Sequence, residues 1–215
     1  MGADISLYSL RHDAHFERFA AWHLRSAEHL DVVWATGLGD DEYRSWAYAV
    51  FCRNGEMPAD AFGDLLHARK VRLTERAVEI LRARGDLDGG PAGVPEPWRE
   101  GPGEVFPAGM VYVGGEPVGS FLWQEIVACV ARGVQAHVAA LYWEIWPVCT
   151  VHDRGLHVSA ARGRAGWWCL ATDHLVSWVL DPDSAPDSSG SDPSDSDPDP
   201  SDTVTARPGR HRPRQ

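Results

Sequence analysis

The sequence predicts an α+β protein, and three patterns predict it. Apolar residues recur at three- and four-residue steps through residues 4–90, as on helices. A short alternating segment surrounds a Gly-Gly turn at 114–115, as in a hairpin. A Trp-rich stretch between 146 and 180 alternates around a second Gly turn.

Composition sets the frame for these elements. Of 215 residues, 44% are hydrophobic and 24% charged, which excludes a collagen-like or wholly disordered chain. No uninterrupted apolar run approaches the roughly 18 residues of a membrane span. Residues 1–5 carry neither a basic nor an apolar leader signature, and four cysteines are too few for a secreted disulfide scaffold. The expected compartment is the reducing cytoplasm. The net charge is -11, and residues 1–180 alone carry -7, so the folded part repels phosphate overall. That argues against nucleic acid as the partner. Lys70 is the only lysine against nineteen arginines, which codon bias explains before recognition chemistry does.

Residues 1–90 read as a helical layer of four short helices. In the first, Phe16, Phe19, Ala20, His23, Leu24, Ala27 and Leu30 share a face. After a turn at Gly37–Asp41, Tyr43, Trp46, Ala47, Val50 and Phe51 mark a second that stops near Asn54-Gly55. Pro58 opens a third, with Phe62, Leu65 and Leu66 on its apolar face. Thr74 is the expected N-cap of a fourth, and Gly85 its stop. Residues 91–109 read as a Pro/Gly-rich linker. Residues 110–145 follow as a hairpin, Met110–Val118, and a core helix, 121–142, with Leu122, Ile126, Cys129, Val130, Val134, His137 and Leu141 on one face. Residues 181–215 hold eight aspartates and then four arginines with almost no apolar residue, the composition of a disordered tail.

One constellation carries chemistry. Cys149-x2-His152 puts a thiol and an imidazole on one tight turn, and Cys169-x4-His174 repeats the pairing after sixteen intervening residues, across a hairpin that brings the turns together. Tetrahedral zinc asks for four N or S ligands of this kind. Residues 146–180 resemble a zinc ribbon, a small β module with one metal-binding knuckle on each of two loops. The resemblance implies a structural zinc held by Cys149, His152, Cys169 and His174. Ribbons more often use four cysteines and a second knuckle with two intervening residues. His157 is an alternative to His152, and Asp153 and Asp173 are placed to orient the imidazoles. The bland alternative is that two buried cysteines and two polar histidines fall by chance in a Trp-rich hairpin.

Other signals are weaker. His12-x2-His15, with His23 and His29, lacks the pattern of a catalytic metal site, and His23 falls on an apolar face. Cys52 and Cys129 read as core, without a basic neighbour that would activate the thiol. Trp143, Trp146, Trp167, Trp168 and Trp178 either dock the small module on the preceding helix or form a partner surface. No nucleophile motif or phosphate-binding loop is present. The expected function is therefore a non-enzymatic protein-interaction or adaptor role, with zinc holding the module and a Trp-rich surface meeting another protein. The alternatives are a metal-dependent hydrolase and a nucleic-acid-associated ribbon, the latter needing Arg154, Arg162 and Arg164 on one face.

Overall fold

The computed structural model describes residues 14–30, 41–84, 94–161 and 164–180. The expected tail at 181–215, His12, Arg162 and the turns at 37–40, 85–91 and 163 lie outside these residues. The fold is α+β. Three N-terminal helices, α1 (Ala14–His29), α2 (Asp41–Asn54) and α3 (Ala59–Arg84), precede a three-stranded antiparallel sheet of β1 (Trp98–Glu100), β2 (Met110–Val113) and β3 (Glu116–Pro117). Helix α4 (Trp123–Tyr142) leads to the C-terminal β module. There β4 (Val148–Cys149) pairs with β5 (Arg154–Gly155), and β6 (His157–Ala161), β7 (Arg164–Cys169) and β8 (His174–Trp178) form a second three-stranded sheet.

The helical layer departs from expectation in two ways. Residues 59–84 are one helix, not two. Residues 67–73 contain no glycine or proline and are mostly good helix formers, so nothing interrupts the ladder. Thr74 is no N-cap; it is fully buried in mid-helix and its hydroxyl donates to the Lys70 carbonyl at 2.8 Å. On α1 the buried stripe is Phe19, Trp22, Ser26, Ala27 and Leu30, whereas Ala20 and Leu24 face outward. The indole of Trp22 rotates the buried face toward itself, packing on Phe51 and Phe62. Leu65, expected on the apolar face of α3, is also exposed.

The expected linker contains a strand. Trp98, Arg99 and Glu100 pair with Tyr112, Val111 and Met110, and the Trp98 ring lies on Tyr112 with centroids 4.3 Å apart. Flanking prolines permit this because β1 is a short, exposed edge strand that does not need a full ladder. The hairpin turn at Gly114 has φ +58, and it meets α4 at Gly133. A Cβ on Gly133 would fall against the Val113 carbonyl, and one on Gly114 against the Gly133 carbonyl. Two missing side chains thus let the hairpin backbone touch the helix backbone.

Helix α4 is the hub. Its buried residues run from Trp123 through Ile126, Val127, Ala128, Val130, Ala131, Val134 and Val138, a stripe too wide for one amphipathic face. Leu141, expected on that face, is exposed at the helix end. One apolar cluster joins the C-terminal half of α3, β2, α4 and the β module through Val78, Val113, Val130, Leu156, Val158 and Trp167. A second cluster joins α1, α2 and the first half of α3 with Phe121. The β module therefore shares its core with α4. Two glutamines add polar fastenings: Gln135 Nε2 donates to the carbonyls of Trp146 (3.2 Å) and Leu156 (2.9 Å), and Gln124 Oε1 accepts from the Ala165 N–H at 3.3 Å.

Candidate metal centre

Each of the two turns in the β module is a strand–turn–strand knuckle built to the same plan. In the first, Cys149 ends β4 and pairs with Arg154, five residues on. In the second, Cys169 ends β7 and pairs with His174, also five residues on. The fourth residue after each cysteine, Asp153 or Asp173, has φ +49, the left-handed conformation that Asp tolerates better than most residues. The Asp153 N–H also donates to the Cys149 carbonyl at 2.8 Å, closing the first turn.

On this shared frame the histidines occupy different places. His152 stands three residues after its cysteine, inside the turn, whereas Thr172 holds the equivalent place in the second knuckle. There the imidazole is His174, at the start of β8, opposite Cys169. The longer interval in the second pair follows from this: the ligand comes from the returning strand rather than the turn.

The four side chains converge. Ligand atoms of Cys149, His152, Cys169 and His174 all lie within 4.8 Å of one another. His152 Nδ1 is 3.5 Å from Cys149 Sγ and 3.4 Å from Cys169 Sγ, and His174 Nε2 is 3.9 Å from Cys149 Sγ. Tetrahedral bonds of about 2.3 Å to sulfur and 2.05 Å to nitrogen place S and N ligand atoms about 3.6 Å apart. The observed separations bracket that value. Both sulfurs are buried and both imidazoles half-buried, so the cluster opens to solvent on the histidine side.

The surroundings suit a cation. Burial pushes the Cys149 thiol up, but hydrogen bonds from the backbone N–H groups of His152 and Val151 and from the Cys169 side chain outweigh it and hold the thiol below its ordinary range. Thr172 Oγ1 lies 2.8 Å from His174 Nδ1. In the tautomer that donates Nδ1–H to this hydroxyl, Nε2 keeps its lone pair toward the cluster. Thr172 therefore holds the orienting place expected of Asp173, whose part, like that of Asp153, is to make the turn.

The other candidates fall elsewhere. His157 is exposed on β6 opposite Trp168 and stands outside the cluster. His15 pairs with Tyr48, His23 with Tyr43 and His29 with Asp60, so the N-terminal histidines do not converge. Among the described residues, the Cys/His cluster is the one group of three or more potential ligands. Of the tryptophans, Trp167 is buried in the core shared with α4 and Trp146 packs edge-on against it at 5.7 Å, while Trp143 is 91% exposed. Arg164 lies over the Trp178 ring, 5.3 Å from its centroid. Cys52 is exposed rather than core. Cys129 is buried as expected, but it has a basic partner, for Arg132 Nη2 donates to its sulfur at 3.0 Å. The signal was available in the sequence, since residues three apart on a helix are neighbours. All four cysteines are free thiols, and no helix among the described residues is long and apolar enough to cross a membrane. Comparison of the chain with protein-family models, with curated proteins and with solved structures gave no match.

Proposed function

We propose that this chain is a non-enzymatic protein-interaction or adaptor protein whose C-terminal β module is held by one structural zinc ion and presents an apolar surface to another protein. The observation that carries the reading is the convergence of two thiols and two imidazoles from paired knuckles within 4.8 Å. Two sulfurs and two nitrogens in this arrangement are a borderline-soft, tetrahedral donor set, which favours zinc over magnesium or calcium. Four protein ligands complete a tetrahedron, so the ion would serve architecture: it would tie the two turns together where the module has little core of its own. The four free thiols fit a reducing compartment such as the cytoplasm.

The partner surface would lie beside the knuckles. Trp143, Ile145, Val151 and Leu170 are all more than 70% exposed, and two of them sit at the tips of the turns. Ile145 Cγ2 also lies over Gly155, placing this side chain on the first knuckle. Zinc would fix the shape of these loops, and the apolar residues would supply binding area.

The test has two arms. Full-length protein purified without added metal should carry about one zinc per chain, and its cobalt-substituted form should give the strong visible absorption of a tetrahedral thiolate site. Cys149→Ser should lose metal and melting temperature together. A folded, metal-free protein whose Cys149→Ser variant melts as the wild type does would overturn the zinc reading. For the surface, tagged wild-type protein should retain a specific polypeptide from cell extract that Trp143→Ser/Ile145→Ser, with full zinc content, does not. Recovery of the same polypeptides by both forms would refute the proposed surface.

A further inference from the structure

On the side of α4 facing the exit of the β2–β3 hairpin lies a cavity of about 520 Å³, separate from the metal cluster. Pro117, Gly119 and Ser120 wall it from the hairpin side, Ala160 of β6 from the module side, and Glu125, Ala128, Cys129 and Arg132 from α4. Its size falls within the range of small-molecule sites. The walls are mostly apolar, and the polar groups are few and ordered. Glu125, Cys129 and Arg132 follow one another at steps of four and three, so they form a row along one face of the helix. The carboxylate stands at one end of the row, the guanidinium at the other, and the thiol between them.

The charges in this row are unspent. Arg132 donates through Nη2 to the Cys129 sulfur and, among the described residues, makes no ion pair with a carboxylate. The contrast is with Arg69, which is buried and paired to Glu42, and with Arg82, which reaches Glu96 at 2.8 Å. Glu125 likewise has no cationic partner among the described residues. Ser120 is 7% exposed; its Oγ accepts the Leu122 N–H at 3.1 Å, which leaves its own proton to donate. The cavity thus offers two donors suited to a carboxylate, Arg132 and Ser120, and one acceptor suited to an ammonium or hydroxyl group, Glu125.

We infer that this cavity binds a small carboxylic acid carrying an amino or hydroxyl group, with its carboxylate on Arg132 and Ser120 and its amine or hydroxyl directed to Glu125. An unsubstituted carboxylate would meet only half of the site, and a cationic amine alone would meet the other half. The Arg132 guanidinium, which no carboxylate pairs among the described residues, supplies the binding energy, and Glu125 supplies the discrimination. The site is independent of the zinc reading.

The test uses full-length protein and a probe set of the free L-amino acids, L-lactate, L-malate, acetate and methylamine. At least one amino or hydroxy acid should raise the melting temperature saturably, by roughly 5 °C near a hundredfold excess over Kd. Acetate and methylamine should produce no comparable rise. Arg132→Gln should weaken that probe by about tenfold or more, as expected for a lost charge-assisted hydrogen bond. Glu125→Gln should weaken the amino acids and erase their advantage over acetate. Because Arg132 also supports Cys129, Ala160→Trp provides a second variant that fills the cavity from an exposed strand position and should abolish binding. No response to any probe would overturn the inference, as would a response that survives both Arg132→Gln and Ala160→Trp.

Discussion

Lys70 is a 2% exposed lysine at the junction of the two apolar clusters, and its burial predicts an unusual pH profile of stability. Its ammonium donates to the Gly109 carbonyl at 3.1 Å and sits 4.3 Å from the centroid of the Phe121 ring. Burial lowers its pKa from 10.5 to about 8, and the nearby Cys129 sulfur offsets part of that fall. A lowered folded-state value means that, between pH 8 and 10.5, the unfolded chain holds a proton that the folded chain has released. Stability from this group therefore rises with pH across that window. Below pH 8 both states are protonated and the full cost of burying the charge, about 3 kcal/mol, is present. By pH 9 about 1 kcal/mol of that cost is relieved. The assay is urea denaturation of wild type and Lys70→Met, followed by tryptophan fluorescence at pH 7 and pH 9. The methionine is one atom shorter but unbranched like lysine, and it removes the titration at a constant offset for the unpaired Gly109 carbonyl. Burial of Cys129 raises its thiol pKa and opposes the lysine near pH 9 in both proteins, so that contribution largely cancels and the comparison reads Lys70 together with its coupling to Cys129. Wild type should gain about 1 kcal/mol relative to the variant between the two pH values. An unchanged difference would refute the reasoning.

Two further perturbations separate the parts of the β module. Thr172→Val removes the hydroxyl on His174 Nδ1 at nearly constant shape and should weaken metal binding by about tenfold in a chelator competition, whereas Asp173→Asn should leave it close to wild type. Gln135→Met deletes both hydrogen bonds from α4 to the Trp146 and Leu156 carbonyls and should cost about 2 kcal/mol in urea denaturation, with metal content unchanged.

How much of this molecule was legible in the sequence depends on the range of the interaction involved. Helix periodicity and the Gly114-Gly115 turn are local, and the elements they predict are present near their expected bounds. The break expected at Thr74 failed because a threonine that caps a helix in one context bonds its own i−4 carbonyl in another, and only the tertiary burial of Lys70 and Thr74 decides between them. The strand at Trp98–Glu100 was hidden for a related reason: it has three residues between prolines, and its stability comes from Tyr112 and Val111, in a strand with no mark of pairing at that distance. Gln135 and Gln124 read only as polar residues on an apolar helix, since the carbonyls and amide they fasten lie eleven to forty-one residues away.

The Cys/His cluster is the instructive case, because all four side chains that the spacing selects come together although their spacing is irregular. In the sequence, Cys149-x2-His152 and Cys169-x4-His174 are two unlike intervals. Strand pairing shows two like turns. Cys149 faces Arg154 and Cys169 faces His174 at the same five-residue interval, and each turn reverses at an aspartate with φ +49. On that common frame a ligand can come from the third place, where it reaches the cluster through Nδ1, or from the fifth, where it reaches through Nε2 across the strand pair. One knuckle uses the first option and the other the second. Thr172, left at the vacant third place, becomes the hydroxyl that orients the imidazole at the fifth. Interval counting treats a four-residue gap as a departure from a two-residue rule; the backbone makes it an alternative seat on the same turn, with the residue in the unused seat converted to support.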